Sequence, residues 1–358
     1  MSISVARLSE TSDTEDNWDS WVEQSSMGTP FHQFEILRLT AAEAGATLHP
    51  LVGYKGEEPV GLLPVFETEK GPLRLIKSPP ESTSIRKLGP VLLNYEKLKT
   101  RKQEKRHRRF VEGCLSWLDE SDPPDRIVIQ TSDRYPDFRP WVWNDFDVEM
   151  DATYVVDLTR DLEEIENSFS NSMRSGVREA EEAGCSVEVG GRAEARRIVD
   201  HLWQRFEESD IDYFDSSPER VMEYVDAFPE GQVRPYVCRL DGDYVGGMIS
   251  IQFGDMAYSW KGRAKPQKDV PANELLDWRT IQDAKRDGVT RYNLHGALNP
   301  RVSGAKARLS PELVPMYTLT RQRPSIQLAS WLQEQFGTRL DEQVKPRVRN
   351  QLKPRLNL

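Results

Sequence analysis

One stretch constrains the fold of this chain more than any other. It runs from Arg291 to Thr320: R-Y-N-L-H-G-A-L-N-P-R-V-S-G-A-K-A-R-L-S-P-E-L-V-P-M-Y-T-L-T. A short strand, Tyr292 to Leu294, leads into a turn rich in Gly, Asn and Pro, which brings His295 and Asn299 together. A helical turn carrying Lys306 and Arg308 follows, then a second strand, Val314 to Leu319. Turn amides and a fixed ammonium in this order are expected to face a negative charge or a carbonyl oxygen.

The rest of the chain alternates strands and helices in two similar series. In the first, Ile3–Leu8 reads as an edge strand, and Phe34, Leu37, Ala41 and Ala44 recur at helical spacing before the stop signal Gly45. Leu48–Tyr54 and Val60–Thr68 read as a hairpin over Gly56. Further strands are expected at Leu73–Ile76, Pro90–Leu93 and Arg126–Gln130, and the aromatic segment Tyr135–Phe146 closes the series.

The second series opens with a strand at Thr153–Leu158 and a helix whose Met173, Val177 and Ala180 face inward. Three strands follow two amphipathic helices, at Arg234–Leu240, Tyr244–Phe253 and Met256–Lys261, with a hairpin signal at D-G-D-Y. The pair Gly246-Gly247 in the middle strand marks a bulge or a close backbone approach. A helix from Ala272 to Asp287 places Asn273 and Glu274 near the preceding loop. The pattern is α+β, with divisions expected at 1–150, 151–322 and 323–358, the last a terminal helix (Pro324–Phe336) and a basic tail.

Composition narrows the function classes. A net charge of −10 argues against a whole-surface nucleic-acid binder. No run approaches the ~20 apolar residues of a membrane span, and no apolar stretch of signal-peptide length opens the chain, so a cytoplasmic location is expected. The three cysteines (Cys114, Cys185, Cys238) lie in no metal-ligand spacing and read as free thiols; no metal is expected. The basic run K-L-K-T-R-K-Q-E-K-R-H-R-R, Lys97–Arg109, is either a footprint for phosphate or a solvated helix face. Arg174 and Arg178, four apart, share one helix face and can grip an anion bidentately or pair with Glu181 and Glu182.

Several phrases together carry a family resemblance. They are S-M-R-S-G-V-R-E-A-E-E-A-G-C-S-V-E, V-C-R-L-D-G-D-Y-V-G-G-M-I-S, A-Y-S-W-K-G, A-N-E-L-L-D-W-R-T-I-Q-D-A-K-R-D-G-V-T-R-Y-N-L-H-G and G-A-K-A-R-L-S-P-E-L-V-P-M-Y, with G-T-P-F-H-Q and E-P-V-G-L-L-P-V in the first half. They resemble the Fem family, aminoacyltransferases of peptidoglycan bridges within the Gcn5-related N-acetyltransferase (GNAT) superfamily. The resemblance implies two tandem GNAT-like domains, each a mixed, mostly antiparallel sheet flanked by helices. It also implies attack by an amine on an activated acyl group, either an acyl-CoA thioester or an aminoacyl-tRNA ester. Lys306 stands near the family's lysine that holds the oxyanion or a phosphate, although Ala305 precedes it where the family has Phe. The family's long helical arm used with tRNA has no counterpart, and R-K-L-G-P-V near residue 86 only faintly resembles a pyrophosphate loop.

The chemistry needs a base, for which His295, Asp269, Glu274 or water are the candidates, His295 first because its ordinary pKa lies near working pH. It needs an oxyanion holder, Lys306 with loop amides. It needs anion grips, among Arg174, Arg178, Lys261 and Arg263, with Asn273 and Asn299 as further substrate contacts. The expected function is N-acyl or aminoacyl transfer to an amine on a cell-envelope sugar or peptide precursor, small or lipid-linked, with tRNA as a possible partner and peripheral membrane contact allowed. The alternative is a non-catalytic module of the same fold that uses the basic run and tail to hold RNA or an anionic membrane surface.

Overall fold

The computed structural model describes residues 3–120, 122–209, 216–263, 266–297 and 300–323. The expected terminal helix and basic tail lie outside the described residues.

The first half contains β1 (Ser4–Arg7), α1 (Glu15–Gln24), α2 (Phe34–Ala44), β2 (Thr47–Lys55), β3 (Glu58–Lys70), β4 (Leu73–Ser78), β5 (Val91–Leu92), α3 (Thr100–Asp119), β6 (Arg126–Gln130) and α4 (Arg139–Val142). The second contains β7 (Asp147–Asp157), α5 (Leu162–Ser168), α6 (Asn171–Glu182), β8 (Cys185–Val189), α7 (Arg192–Ser209) and α8 (Pro218–Ala227). It continues through β9 (Val233–Leu240), β10 (Asp243–Phe253), β11 (Met256–Gly262), α9 (Ala272–Arg286), β12 (Arg291–Asn293), α10 (Pro300–Ala307) and β13 (Glu312–Gln322).

Local chemistry explains the boundaries. Helix α2 ends where Gly45 turns left-handed at φ 60° and returns its N–H to Ala41 and Ala42. The β2–β3 hairpin closes over Gly56 at φ 66°. Ser170 caps α6 by accepting the Met173 N–H, and Met173, Val177 and Ala180 are buried as their spacing requires. In the Gly-Gly pair, Gly247 is a close approach: a Cβ there would sit 2.6 Å from Ile198 on α7. The bulge expected nearby falls at Val245, between Tyr244 and Gly246.

The thirteen strands of the described residues form one sheet, in the order β1-β2-β3-β4-β6-β13-β7-β12-β11-β10-β9-β8, with β5 on β3. The division between residues 150 and 151 falls inside β7, which pairs with β12 on one side and β13 on the other. The C-terminal strand β13 therefore lies at the seam, antiparallel to both β6 and β7. One hydrophobic core crosses that seam and holds Phe31 with Tyr224, Phe228 and Tyr258.

Each half contains one parallel strand pair. In the first, β4 lies along β6 from Leu75↔Arg126 to Ser78↔Ile129. Beyond Ser78 the chain loops back, and Leu88 bridges Thr131, so the line of β4 continues. In the second, β11 lies along β12 only from Met256↔Arg291 to Tyr258↔Asn293. β11 then runs on to Gly262, while the chain after β12 follows β7: Leu294 N–H bonds Tyr154 O at 2.8 Å and Ala297 N–H bonds Ala152 O at 2.9 Å. A wedge opens between the two strands at that point.

Candidate functional site

Of the sequence-predicted residues, Lys306 and His295 meet at the wedge beyond β12, and Arg263 joins them through Asp277 and Tyr292. The floor of the wedge is Tyr292, fully buried, whose hydroxyl donates to Asp277 Oδ1 at 3.2 Å. Asp277 sits in mid-helix on α9, 2% exposed, and its Oδ2 accepts from Arg263 Nη2 at 2.6 Å. Arg263 follows β11 with φ 60°, a turn made possible by Gly262 at φ 106°. Burial pushes the Asp277 carboxyl above its usual range, with Arg263 opposing.

Lys306, near the end of α10, is 8% exposed. Its ammonium donates to the carbonyls of His295 and Gly296, the latter at 3.1 Å. Burial first, then the Arg263 and Arg86 guanidiniums, brings its pKa down to about 8, with Asp277 opposing. An ammonium carries three N–H donors, and two are committed to the loop.

The loop itself departs from the sequence expectation. Its amides do not face an anion. His295 N–H bonds Asn293 Oδ1 at 2.8 Å, and Gly296 N–H bonds Thr153 Oγ1 at 3.0 Å. Thr153 in turn donates to Asn293 Oδ1 at 2.8 Å. A positive φ at both His295 and Gly296 folds the turn inward, and the buried Asn293 and Thr153 side chains consume its donors. Among the described residues of this segment, the expected oxyanion holder that keeps a donor not committed to the loop is Lys306.

His295 is half-buried, its ring 5.9 Å from Phe31 and 5.8 Å from Tyr258 between centroids. Its Nε2 is buried without a hydrogen-bond partner. Burial, then Lys306, Arg86 and Lys261, lowers its pKa to about 3. The ring is therefore neutral at working pH but a poor base: taking a proton from an ordinary ammonium costs roughly 10 kcal/mol.

The remaining expected residues are placed as follows. Lys261 lies on β11 with its ammonium 5.5 Å from the Trp260 ring centroid. β11 bulges at Trp260, since Ile249 opposes Lys261 and Ser250 opposes Ser259. Helix α6 packs on α9 through Gly176, where a Cβ would stand 2.9 Å from Glu274 Cγ. Arg174 and Asn273 thus occupy adjacent helices. Arg174 donates to Asn171 at 2.5 Å, and Arg178 is exposed on the next turn. Glu274 is held by Arg308 at 2.7 Å, and Asp269 is exposed. Asn299 lies outside the described residues. Among the described residues no group of His, Cys, Asp and Glu could hold a metal ion, and no helix is long and apolar enough to cross a membrane.

Sequence reasoning did not identify three contributors. Asp277 carried a signal, a carboxylate between the apolar helix positions Leu276 and Trp278. Arg86 and Phe31 come from the first half and reach the wedge only through the shared sheet. Phe31 belongs to the G-T-P-F-H-Q turn, which is built around His32: Thr29 donates to His32 Nδ1, and His32 Nε2 donates to Gly89 O at 3.2 Å. That pattern fixes the tautomer, and burial lowers the pKa of His32 to about 4.

Comparison with known proteins agrees with the fold. Residues 167–300 match the acetyltransferase (GNAT) domain family model. FemX superposes with a TM-score of 0.66 at 12% identity, over 86% of this chain and 96% of that one. The L-PGS structure from Bacillus licheniformis superposes at 0.51 and 13% identity, over 84% of this chain and 95% of that one. At these identities the likeness is one of fold. No curated protein matches the chain in sequence. The chain has the GNAT fold with the overall architecture of FemX, and the segment that matches the acetyltransferase (GNAT) domain model, residues 167–300, lies in the half that contains the wedge.

Proposed function

We propose that this protein transfers an acyl or aminoacyl group from an activated thioester or ester to an amine, with the chemistry in the wedge between β11 and β12. The observation that carries the reading is the position of Lys306. Inside the segment pair that the acetyltransferase match brackets, a parallel pair stops short and a buried ammonium stands just beyond it. The strand edge from Ser259 to Gly262 offers peptide groups to an extended donor. Attack by the amine places negative charge on the carbonyl oxygen, and the third N–H of Lys306 is the donor for it. The half-neutralised state of Lys306 near pH 8 also suits it to return a proton to the leaving thiol or hydroxyl. Among the described residues no Ser/His/Asp or Cys/His constellation supports a covalent intermediate, which favours direct transfer within a ternary complex. The Fem resemblance supports, for the acceptor, a cell-envelope sugar or peptide precursor.

The test is thermal stabilisation of the purified protein by acetyl-CoA, a longer acyl-CoA and an aminoacyl-tRNA, each repeated with Lys306→Ala. A ligand at a hundredfold excess over its Kd stabilises by roughly 2.7 kcal/mol. A shift with one donor, weakened in Lys306→Ala, supports the transferase and names the donor. The second reading, a binding module, draws on the exposed Arg101, Lys102, Lys105 and Arg108 of α3. It gains if no donor shifts the melting temperature while bulk RNA or anionic vesicles bind in a salt-sensitive way.

A further inference from the structure

The middle of the sheet has an apolar face that the described helices leave open. β7 and β13 pair antiparallel without a bulge, so Leu313 lies opposite Tyr154, Pro315 opposite Ala152 and Tyr317 opposite Met150. Alternate residues of a strand share a face, so all six point the same way. Met150 is 73% exposed and Leu313 62%, the two most exposed large apolar side chains among the described residues. Pro315 is exposed beside them. Toward the C-terminal end of β13 the same face is closed: Phe138, which leads into α4, packs on Tyr317 at 4.8 Å between centroids, and Leu319 is fully buried. Toward the other end, the Tyr154 hydroxyl meets Ser303 Oγ on α10 at 3.0 Å. Between α4 and α10 the two central strands are uncovered. Soluble proteins rarely leave a contiguous apolar patch in such a place without a partner for it.

We propose that residues 324–344 of the same chain are that partner, folding back along β13 to cover Met150, Leu313 and Pro315. Continuity favours them over another molecule. β13 ends at Gln322, Arg323 N–H bonds Asp125 O at 2.9 Å, and residue 324 therefore starts from the end of the strand whose face is open. Length fits as well. At the helical rise, residues 324–344 span roughly 30 Å, and at ~3.3 Å per residue β13 runs about the same distance from Gln322 back to Leu313. The sequence supplies a matching face: Leu328, Leu332, Phe336, Leu340 and Val344 recur every fourth residue with Trp331 alongside, and Gln327, Ser330, Gln333 and Glu334 fall between them. Charge agrees with the placement. From Lys345 onward the tail has Lys and Arg but no Asp or Glu, while Asp147, Glu149 and Glu312 are exposed on the same two strands. The docked segment would also border α10 at Ser303, one turn before Lys306, and so brace the helix that carries the buried ammonium. The inference goes beyond the transferase reading and does not rest on it.

Amide hydrogen exchange of the full chain, read peptide by peptide, tests it in wild type, Leu313→Asp, Met150→Asp, Leu332→Asp and the control Val189→Asp on the far edge strand β8. In wild type the amides of 326–336 should exchange at least about tenfold more slowly than those of a free peptide of the same sequence. That protection should vanish in Leu313→Asp, Met150→Asp and Leu332→Asp, with faster exchange in α10 as well, and should stay intact in Val189→Asp. Met150 and Leu313 are exposed, so β6 and the rest of β7 should keep their protection, which separates undocking from unfolding. Exchange of 326–336 at the free-peptide rate in wild type overturns the inference. So does protection that survives Leu313→Asp and Met150→Asp. Protection that rises with protein concentration overturns it too, since a second copy would then be the cover. None of these measurements uses an acyl donor, so the outcome of the donor titrations stands or falls separately.

Discussion

The two parallel strand pairs occupy equivalent places in the two halves, and they are finished differently. Beyond the β4–β6 pair the space is closed by protein: Leu88 continues the strand line, and Gly89 is tied to His32, whose ring is fully satisfied. Beyond the β11–β12 pair the space is lined by charge: Lys306, the Arg263–Asp277 pair and a histidine with an unused nitrogen. One half has spent its wedge on packing and hydrogen bonds, and the other has kept a destabilised, polar one. Groups held in that way persist where function selects for them. Under the proposed function, this contrast puts the chemistry in the second half and leaves the first a supporting role.

The sharpest way to break this contrast is Asp277→Ala. It leaves Arg263 beside the buried Tyr292 without its carboxylate, and should cost about 4 kcal/mol in urea unfolding, as expected for orphaning one member of a buried pair. A neutral result would mean that the charged lining of the second wedge is solvated and not a real difference. The next effect is a pH dependence. Lys306 titrates near 10.5 when unfolded and about 8 when folded. Between those values the unfolded chain holds a proton that the folded chain has lost, so stability should rise as pH climbs through this window. The penalty relieved is about 3 kcal/mol, present in full below pH 8. The difference in stability between wild type and Lys306→Met, followed from pH 7 to 10.5, should show that rise in the wild type alone. The smallest effect compares the histidines. His32→Gln strands buried partners at Thr29 and Gly89 and should cost about 2 kcal/mol, whereas His295→Gln removes a nitrogen that bonds nothing and should cost ~1 kcal/mol less. Equal costs would erase the distinction between a filled and an unfilled wedge.

Much of the architecture was legible because it is written locally. Gly45, Gly56 and the Met173–Val177–Ala180 face each act within a few residues, and periodicity reports them. What was not legible depends on distant partners. Nothing in Arg291–Thr320 shows that Thr153, well upstream, will consume the turn's amide. Nothing near Arg263 announces a carboxylate fourteen residues on, buried in a helix. Lys306 was found from its spacing after the loop, but its depressed pKa arises first from burial and then from Arg263 and Arg86, the last supplied by a different half. The site was thus visible as a list of residue types and invisible as an electrostatic field.

The position of β13 governs how this protein comes into being. Residues 312–322 fill the slot between β6 and β7, so until the ribosome has made them both strands present raw edges at the middle of the sheet. The first half is synthesised long before its last neighbour exists. Folding of either half therefore waits on nearly the whole described chain, and a fragment ending before Glu312 would be left with two sticky borders and a tendency to aggregate.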